Sequence, residues 1–207
     1  FNPDVKFPNG KTLIEIQDLN LSIEDRNLSS SINLKLVGPK HICIIGKNGC
    51  GKTTLVRHIY EQLKDRTDIK LGYMPQNYED ELNLNLTPVE YLQTFMGYDK
   101  EIKGKIMSCL AAMNYQAFEM ESQIQALSGG QKAKLFLIKM ILLEYNVLLL
   151  DEPTRNLSPL SNPVIRNILK NYNGAVIAVS HDRKLLSEVA EEIYELTKDG
   201  LFLKNEF

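Results

Sequence analysis

The 207-residue sequence is poor in cysteine, in histidine and in long apolar runs. Its three cysteines, Cys43, Cys50 and Cys109, are odd in number and widely spaced, which favours reduced thiols over a disulfide framework. The three histidines are scattered and share no zinc-binding spacing with the cysteines. These absences argue against a secreted, disulfide-stabilised protein and against a zinc domain.

Apolar runs such as 135–138 and 147–150 are far shorter than the roughly 20 residues that a membrane-spanning helix needs. The start of the chain shows no secretory signal pattern. We therefore expect a cytoplasmic protein without direct membrane insertion. Position 1 is Phe rather than Met, so we expect the sequence to be a domain of a longer protein.

The sequence also has no excess of basic charge. Lys and Arg number 24 against 26 Asp and Glu, which gives a formal net charge of -2 and an isoelectric point near 6.0. The overall charge therefore gives no argument for nucleic-acid binding, and it does not exclude a local basic patch. The hydrophobic share of 43% is ordinary for a globular protein with a real core.

Hydrophobic patterns predict an α/β fold. Alternation over 12–23 and 30–38 predicts an antiparallel pair of strands near the N-terminus. Further along the chain, short buried strands alternate with helices, as in a mainly parallel sheet. Those strands are predicted at 41–45, 69–76, 147–151 and 175–180, with helices at 52–64, 130–144, near 159–171 and after Asp182, and a hairpin over 192–204.

The signals between Thr87 and Ala126 are helical, beginning with an N-cap Thr followed by Pro and Glu. We therefore expect one domain over 1–207. Its core would comprise about 1–76 and 145–207, and an inserted helical subdomain about 77–144.

Residues 46–53, GKNGCGKT, match the phosphate-binding pattern G-x-x-x-x-G-K-[ST] after a predicted strand and before a predicted helix. Lys52 would bridge the β- and γ-phosphates of a nucleotide, and the Thr53 hydroxyl would bind Mg²⁺. Thr54 is placed to reach the α- or β-phosphate. The alternative is a glycine-rich turn without a ligand. The loop residues predicted to surround the phosphates are Gly46, Asn48, Gly49, Cys50 and Gly51.

Acidic and polar residues stand where other predicted strands end. The stretch VLLLDEP places Asp151, a candidate Mg²⁺ ligand, next to Glu152, a candidate general base for the attacking water. His181 follows the strand AVIAV and would contact the γ-phosphate or that water. Gln76 ends another strand and would contact Mg²⁺ and water. Taken alone, each of these could be an ordinary solvated or core residue.

The order of GKNGCGKT, Gln76, LSGGQ (127–131), LLLDEP and His181 resembles the nucleotide-binding domain of ATP-binding cassette (ABC) proteins over nearly the whole chain. LSGGQ is the diagnostic motif, because other P-loop ATPases lack it. The resemblance implies a P-loop NTPase core with a mixed, mainly parallel sheet, an N-terminal antiparallel β part and a helical signature subdomain. It also implies a Mg²⁺-dependent ATPase that hydrolyses ATP to ADP and phosphate.

By the same resemblance, two cassettes face each other head to tail with ATP between them. The signature of one cassette would contact the γ-phosphate held by the phosphate loop of the other. The partner would be a second cassette of the same full-length chain, or a second copy. The signature residues predicted to bind are Ser128, Gly129, Gly130 and Gln131.

The stretches 132–135 and 180–186 most resemble ABC-F proteins, specifically their second domain, which implies a ribosome-acting translation factor or an antibiotic-resistance protein that protects ribosomes. The sequence departs from that pattern at three positions. Ile23 stands where an adenine-stacking aromatic is expected, which leaves apolar contact, Phe1 or Phe7 to hold the adenine. Ser158 replaces an acid in the loop after LLLDEP, and Gln131 stands where many ABC-F members have Glu.

Two other functions remain open. One is the ATP-hydrolysing subunit of a membrane ABC transporter, which needs a groove near Gln76 for a helix of its membrane partner. The other is a nucleotide sensor in which ATP drives dimerisation without useful hydrolysis, an idea that Ser158 supports and Glu152 opposes.

Overall fold

The structure is a computed structural model that describes residues 7–155, 157 and 162–204. The chain divides into two compact units. The first contains the described residues of 1–76, 145–153 and 166–207, and the second those of 77–144 and 154–165.

The first unit begins with two long antiparallel strands, β1 (Thr12–Ile23) and β2 (Arg26–Val37). Their alternating residues bury one face, as the sequence predicts, although β2 starts four residues earlier than expected. Asp18 and Ser31 take positive φ angles of 46° and 53°, and the pairing register shifts between Ile16 and Leu21. Residues at such angles interrupt the regular ladder and bend the pair.

A six-stranded sheet forms the rest of this unit, in the order β4-β5-β6-β3-β7-β8. The first five strands in that order are mutually parallel, and β8 runs antiparallel to β7. This confirms the predicted α/β fold with a mixed, mainly parallel sheet and an N-terminal antiparallel part. The strands are β3 (His41–Ile45), β4 (Leu71–Met74), β5 (Val147–Asp151), β6 (Ala175–Val179), β7 (Glu192–Thr197) and β8 (Gly200–Lys204).

Strands β5 and β6 are buried along their whole length, and β3 is buried except at its last residue. Unbroken apolar runs suit strands that are covered on both faces. Helix α1 (Lys52–Leu63) buries Leu55, Val56, Ile59 and Leu63 in the core cluster that also contains residues of these strands. The other two helices outside the helical block are α6 (Asn162–Lys170) and α7 (Arg183–Val189).

Among the described residues, four α-helices lie wholly within the second unit: α2 (Pro88–Met96), α3 (Lys100–Ala112), α4 (Ala117–Glu121) and α5 (Gly129–Leu142). Local chemistry starts each helix. The Thr87 hydroxyl and the Glu90 carboxylate form a capping box at α2, and the Asp99 side chain caps α3. Gly97, with a φ of 110°, ends α2. The predicted helical block is therefore divided at its turn-forming residues.

Within the part of the chain that the structure describes, no helix combines the length and apolar character needed to cross a bilayer.

Candidate functional site

Four neighbouring parallel strands of the first unit end at the same edge of the sheet. The phosphate loop follows β3, Gln76 follows β4, Glu152 follows β5 and His181 follows β6. Because Asp151 pairs with Val179 across β5 and β6, the residues that follow these two strands lie close together. The carboxyl edge of a parallel sheet is the usual place for a ligand in such folds.

The phosphate loop takes a conformation that depends on glycine. Gly46 and Gly49 have φ angles of 155° and 77°, which L side chains rarely adopt. A Cβ on Gly46 would lie 2.6 Å from the Leu196 carbonyl oxygen, whereas around Gly49 no atom of the described residues lies within 4 Å of an added Cβ. Gly46 is therefore fixed by space and conformation, and Gly49 by conformation alone.

The loop leads into the N-terminus of α1, whose N-cap is Gly51 and which no described side chain caps. The first N–H groups of a helix have no acceptor within the helix, and they carry the positive end of its dipole. This end of α1 is therefore suited to an anion such as a nucleotide phosphate. Thr53 and Thr54 are half-buried in its first turn, while the Cys50 N–H already donates to the Lys47 carbonyl at 3.2 Å.

Lys52 is buried and folds back over the loop from which it starts. Its ammonium donates to the carbonyl oxygens of Gly46 and Lys47 at 2.8 and 3.1 Å. An ammonium carries three N–H donors, so one is left for a phosphate oxygen. The two carbonyl bonds hold the charge at the mouth of the loop, where a phosphate would meet it.

Glu152 and His181 form a polar pair at the strand ends, with 3.6 Å between Glu152 Oε1 and His181 Nε2. Burial raises the pKa of Glu152, and attraction to His181 and Lys52, with a hydrogen bond from the His181 backbone, partly opposes that shift. Glu152 also has a φ of 55°, which is uncommon for a residue with a side chain. A half-buried carboxylate with a raised pKa is a candidate proton acceptor.

Asp151 is 2% exposed at the last position of β5, and Gln76 is exposed in the turn after β4. Asp151, Gln76 and Thr53 offer a carboxylate, an amide and a hydroxyl, the oxygen donors that Mg²⁺ prefers. Among the residues that the structure describes, no cluster of three or more His, Cys, Asp or Glu side chains could hold a metal unaided. This donor set fits a Mg²⁺ ion whose remaining ligands come from phosphate and water.

The signature residues lie in the second unit, at the N-terminus of α5. Ser128 is its N-cap: its hydroxyl oxygen accepts from the Gln131 N–H at 3.3 Å, and the Gln131 side-chain oxygen accepts from the Ser128 N–H at 2.7 Å. The N–H groups of Gly129 and Gly130 lie outside this capping box and have no partner within the helix itself. This helix start, like that of α1, suits an anion.

The Gln131 side chain was predicted to bind nucleotide, yet the structure engages it inside the second unit. Its amide oxygen belongs to the capping box, and its amide nitrogen donates to Glu119. Sequence patterns alone do not identify Glu119 as a partner of the signature motif. The spacing of Gln116 and Glu119, which form a further capping box at α4, is the signal that could have shown a structured turn there.

The structure also tests the proposed adenine contacts. Phe7 is 1% exposed and packs in the core of the first unit, so it is not available to stack on a base. The prediction that Phe7 stacks on adenine is wrong, because its ring is buried among core side chains. Ile23, at the position of the expected aromatic, is 54% exposed. Phe1 and Ser158 lie outside the described residues.

Known proteins resemble this chain in sequence and in fold. The family model described as ABC transporter matches residues 29–155. ABC transporter F family member 5 of Arabidopsis thaliana is 30% identical over 95% of this chain, and Protein GCN20 of Saccharomyces cerevisiae is 29% identical over 92%. The putative ATP-binding protein YdiF of Bacillus subtilis is 30% identical over 97%. The chain spans only 27–32% of the length of these relatives.

A solved structure of the ATP-binding cassette MJ0796, a dimer in a post-hydrolysis state bound to ADP and Pi, has the same fold. The TM-score is 0.73 with 19% identity, over 93% of this chain and 99% of that one. Since the family model covers more than half of the chain, and its matched range contains the phosphate loop, the signature and both strand-end acids, the chain belongs to the ABC transporter family as one of its ATPase domains.

Proposed function

We propose that this domain binds Mg²⁺-ATP at the strand ends of its first unit and hydrolyses it when a second cassette closes over the γ-phosphate. The observation that carries this proposal is the pairing of an uncapped, glycine-lined helix start with a half-buried acid, Glu152, at the same sheet edge. The N–H groups of that helix bind the phosphates, and Lys52 neutralises their charge.

Glu152 acts as the general base, polarising the water that attacks the γ-phosphate. Its raised pKa keeps the carboxylate basic enough to accept a proton, and His181, 3.6 Å away, holds the carboxylate and contacts the phosphate. Thr53, Asp151 and Gln76 would hold the Mg²⁺ ion, which supplies positive charge against the phosphate oxygens.

The second half of the site comes from the signature of another cassette. Ser128 and the N–H groups of Gly129 and Gly130 bind the γ-phosphate held by that cassette's phosphate loop, as two positive helix ends facing one anion. The partner is a second cassette of the full-length chain or a second copy. ATP contacts both halves of each site and therefore closes the pair. Hydrolysis removes the γ-phosphate that joins the halves, and the pair opens.

The test of this function is the substitution Glu152→Gln, which keeps the size of the side chain and removes its charge. Turnover should fall at least about 100-fold while ATP binding is kept, and the closed pair should be trapped with ATP. Lys52→Ala should instead lose ATP affinity, and Lys64→Ala, just beyond the far end of α1, is the matched control. Unchanged turnover in Glu152→Gln would exclude the assigned base.

For the full-length protein, the favoured function is that of a cytoplasmic ABC-F protein acting on the ribosome, in translation or in ribosome protection against antibiotics. The support is the similarity to ABC transporter F family members and the stretches 132–135 and 180–186. The domain is slightly acidic, so contacts to ribosomal RNA would fall to other parts of the protein or to local Lys and Arg residues.

The alternative is the energising subunit of a membrane transporter, which the description of the matched family favours. Full-length Glu152→Gln protein, trapped with ATP, distinguishes the two. Cosedimentation with ribosomes supports the first function. Copurification with an integral membrane protein, and no ribosome binding, supports the second.

A further inference from the structure

The Gln131 side chain is held at both of its polar ends. Its oxygen accepts the Ser128 N–H at 2.7 Å, and its nitrogen donates to Glu119 Oε1. An amide held in this way cannot rotate without breaking one of the two bonds. The orientation of Ser128, which depends on the capping box, is therefore tied to the position of Glu119.

Glu119 bridges the starts of two helices. One carboxylate oxygen, Oε2, accepts the Gln116 N–H at 2.8 Å and completes the capping box of α4. The other, Oε1, accepts from Gln131 at the start of α5. A carboxylate offers an acceptor at both oxygen positions, whereas a Gln side chain replaces one oxygen by an N–H donor.

A second set of contacts holds the same turn from the side. The Tyr115 hydroxyl donates to the Gln131 carbonyl oxygen. Lys134, 6% exposed, donates to the Met113 carbonyl at 3.1 Å and lies 4.9 Å from the centre of the Tyr115 ring. The end of α3, the start of α4 and the first turn of α5 are thus joined through polar contacts that range from exposed to buried.

The direction of the Ser128 hydroxyl follows from these contacts. Its oxygen accepts the Gln131 N–H, so its own hydrogen is available to donate away from the helix. The N–H groups of Gly129 and Gly130 point from the same helix start. Any loosening of the capping box would spread these three donors over many directions and weaken their action on a single anion.

We propose that Glu119 is a positioning residue for the signature motif, acting through Gln131 to aim Ser128 and the first N–H groups of α5 at the γ-phosphate of the opposing cassette. This inference rests on the proposed function, in which the signature acts in trans. Glu119 itself does not touch nucleotide.

The first test is Glu119→Gln in the full-length protein, with Glu121→Gln on the same helix as the matched control. Glu121 is exposed, and its substitution should leave turnover unchanged. Glu119→Gln should lower kcat about tenfold, because the donors of the signature are no longer fixed. Binding of a fluorescent ATP analogue to the phosphate loop, measured at equilibrium, should stay at the wild-type level.

A charge swap separates positioning from simple loss of folding. Gln131→Glu alone would place two carboxylates against each other and should also lower kcat. The double variant Glu119→Gln with Gln131→Glu restores a donor facing an acceptor, and it keeps both capping boxes, so kcat should recover to within about threefold of wild type. Melting temperatures of all variants, measured in parallel, report any loss of folding.

The outcomes are distinguishable. If the wild type hydrolyses ATP and both single variants match it, the inference is overturned while the proposed function stands. A double variant no better than the poorer single variant also overturns it. If the wild type does not hydrolyse ATP, or if its turnover survives in Glu152→Gln, the proposed function fails. The inference then fails with it.

Discussion

Glu152 shows how a single position combines local strain with altered acidity. Its φ of 55° costs on the order of 1 kcal/mol for a residue with a side chain, and its carboxylate is half-buried beside His181. Uncommon backbone angles that persist in a structure concentrate at functional sites. The unusual angle occurs directly after β5, at the residue whose carboxylate lies 3.6 Å from His181.

The acidity of Glu152 predicts a pH dependence. Hydrolysis needs the ionised carboxylate, and burial raises its pKa, so turnover should fall on acidification at a higher pH than an ordinary Glu would give. His181→Ala removes an interaction that lowers this pKa. His181→Ala should be slower than the wild type, and the acid limb of its kcat–pH profile should lie at higher pH. A limb that stays in place or moves to lower pH would contradict the assignment.

The two loop glycines predict different costs. Gly49→Ala meets only the backbone penalty of its φ of 77°, about 1 kcal/mol in the free energy of unfolding. Gly46→Ala adds a clash with the Leu196 carbonyl oxygen at 2.6 Å, so it should destabilise the domain by more. Urea unfolding of both variants checks the order. Equal midpoints would show that the loop relaxes around the added methyl group.

The segment after α1 is tied to β1 through charged contacts. Asp68 accepts from Arg66 Nη2 at 2.7 Å and pairs with Lys11 at 3.0 Å, while Arg66 also donates to the Thr12 carbonyl at 3.2 Å. The Arg66 side chain thus binds a backbone carbonyl of β1 and forms an ion pair with Asp68. Arg66 Nε also donates to Asp68 Oδ1 at 3.2 Å, and such a bidentate guanidinium contact fixes geometry better than a single point charge does.

These contacts hold the pKa of Asp68 well below its ordinary value, mainly through the hydrogen bonds from Arg66. A lowered pKa means that the stabilisation is present above the unfolded-state pKa, near 4, and is lost as the pH falls further. Asp68→Asn should destabilise the domain by about 1 kcal/mol at neutral pH, discounted for partial exposure, and by less in acid.

Melting temperatures of the wild type and Asp68→Asn between pH 7 and strongly acidic buffer measure this difference. Glu15→Gln is the control, since it breaks an exposed pair between Glu15 of β1 and Lys35 of β2 and should change the melting temperature little. A difference between Asp68→Asn and wild type that does not shrink in acid would rule out the charge as its cause.

For the whole molecule, the phosphate loop belongs to the first unit and the signature to the second. If each active site takes one motif from each of two chains, two differently inactivated chains should complement each other. Lys52→Ala removes the phosphate loop function, and Ser128→Arg blocks the signature. Each variant alone should be inactive.

An equimolar mixture of the two variants should regain about a quarter of the wild-type sites, because half of the pairs are mixed and each has one intact site. The measurement compares the ATP turnover of the mixture with that of each variant alone. A mixture of Lys64→Ala with Ser128→Arg is the control for mixing. A mixture as inactive as its components would show that this chain does not form such pairs with itself.

The sequence by itself determined the local chemistry. GKNGCGKT needs glycines wherever its loop takes positive φ, and LSGGQ carries its own capping box, since Ser128 and Gln131 are three residues apart. The buried strands could be predicted because unbroken apolar runs suit a parallel sheet. The helices after Thr87 were predicted as one block, because Gly97 and Asn114 end helices only through their observed backbone angles.

Tertiary structure alone decided which distant residues meet. Strand order places β5 beside β6 and so brings Glu152 within 3.6 Å of His181. Packing of the helices in the second unit brings Glu119 to Gln131, and packing in the first unit buries Phe7 in the core. Capping and turn preferences act over three or four residues and can be read from the chain. Pairing of strands and burial of a ring depend on the whole free energy of packing, which local sequence does not contain.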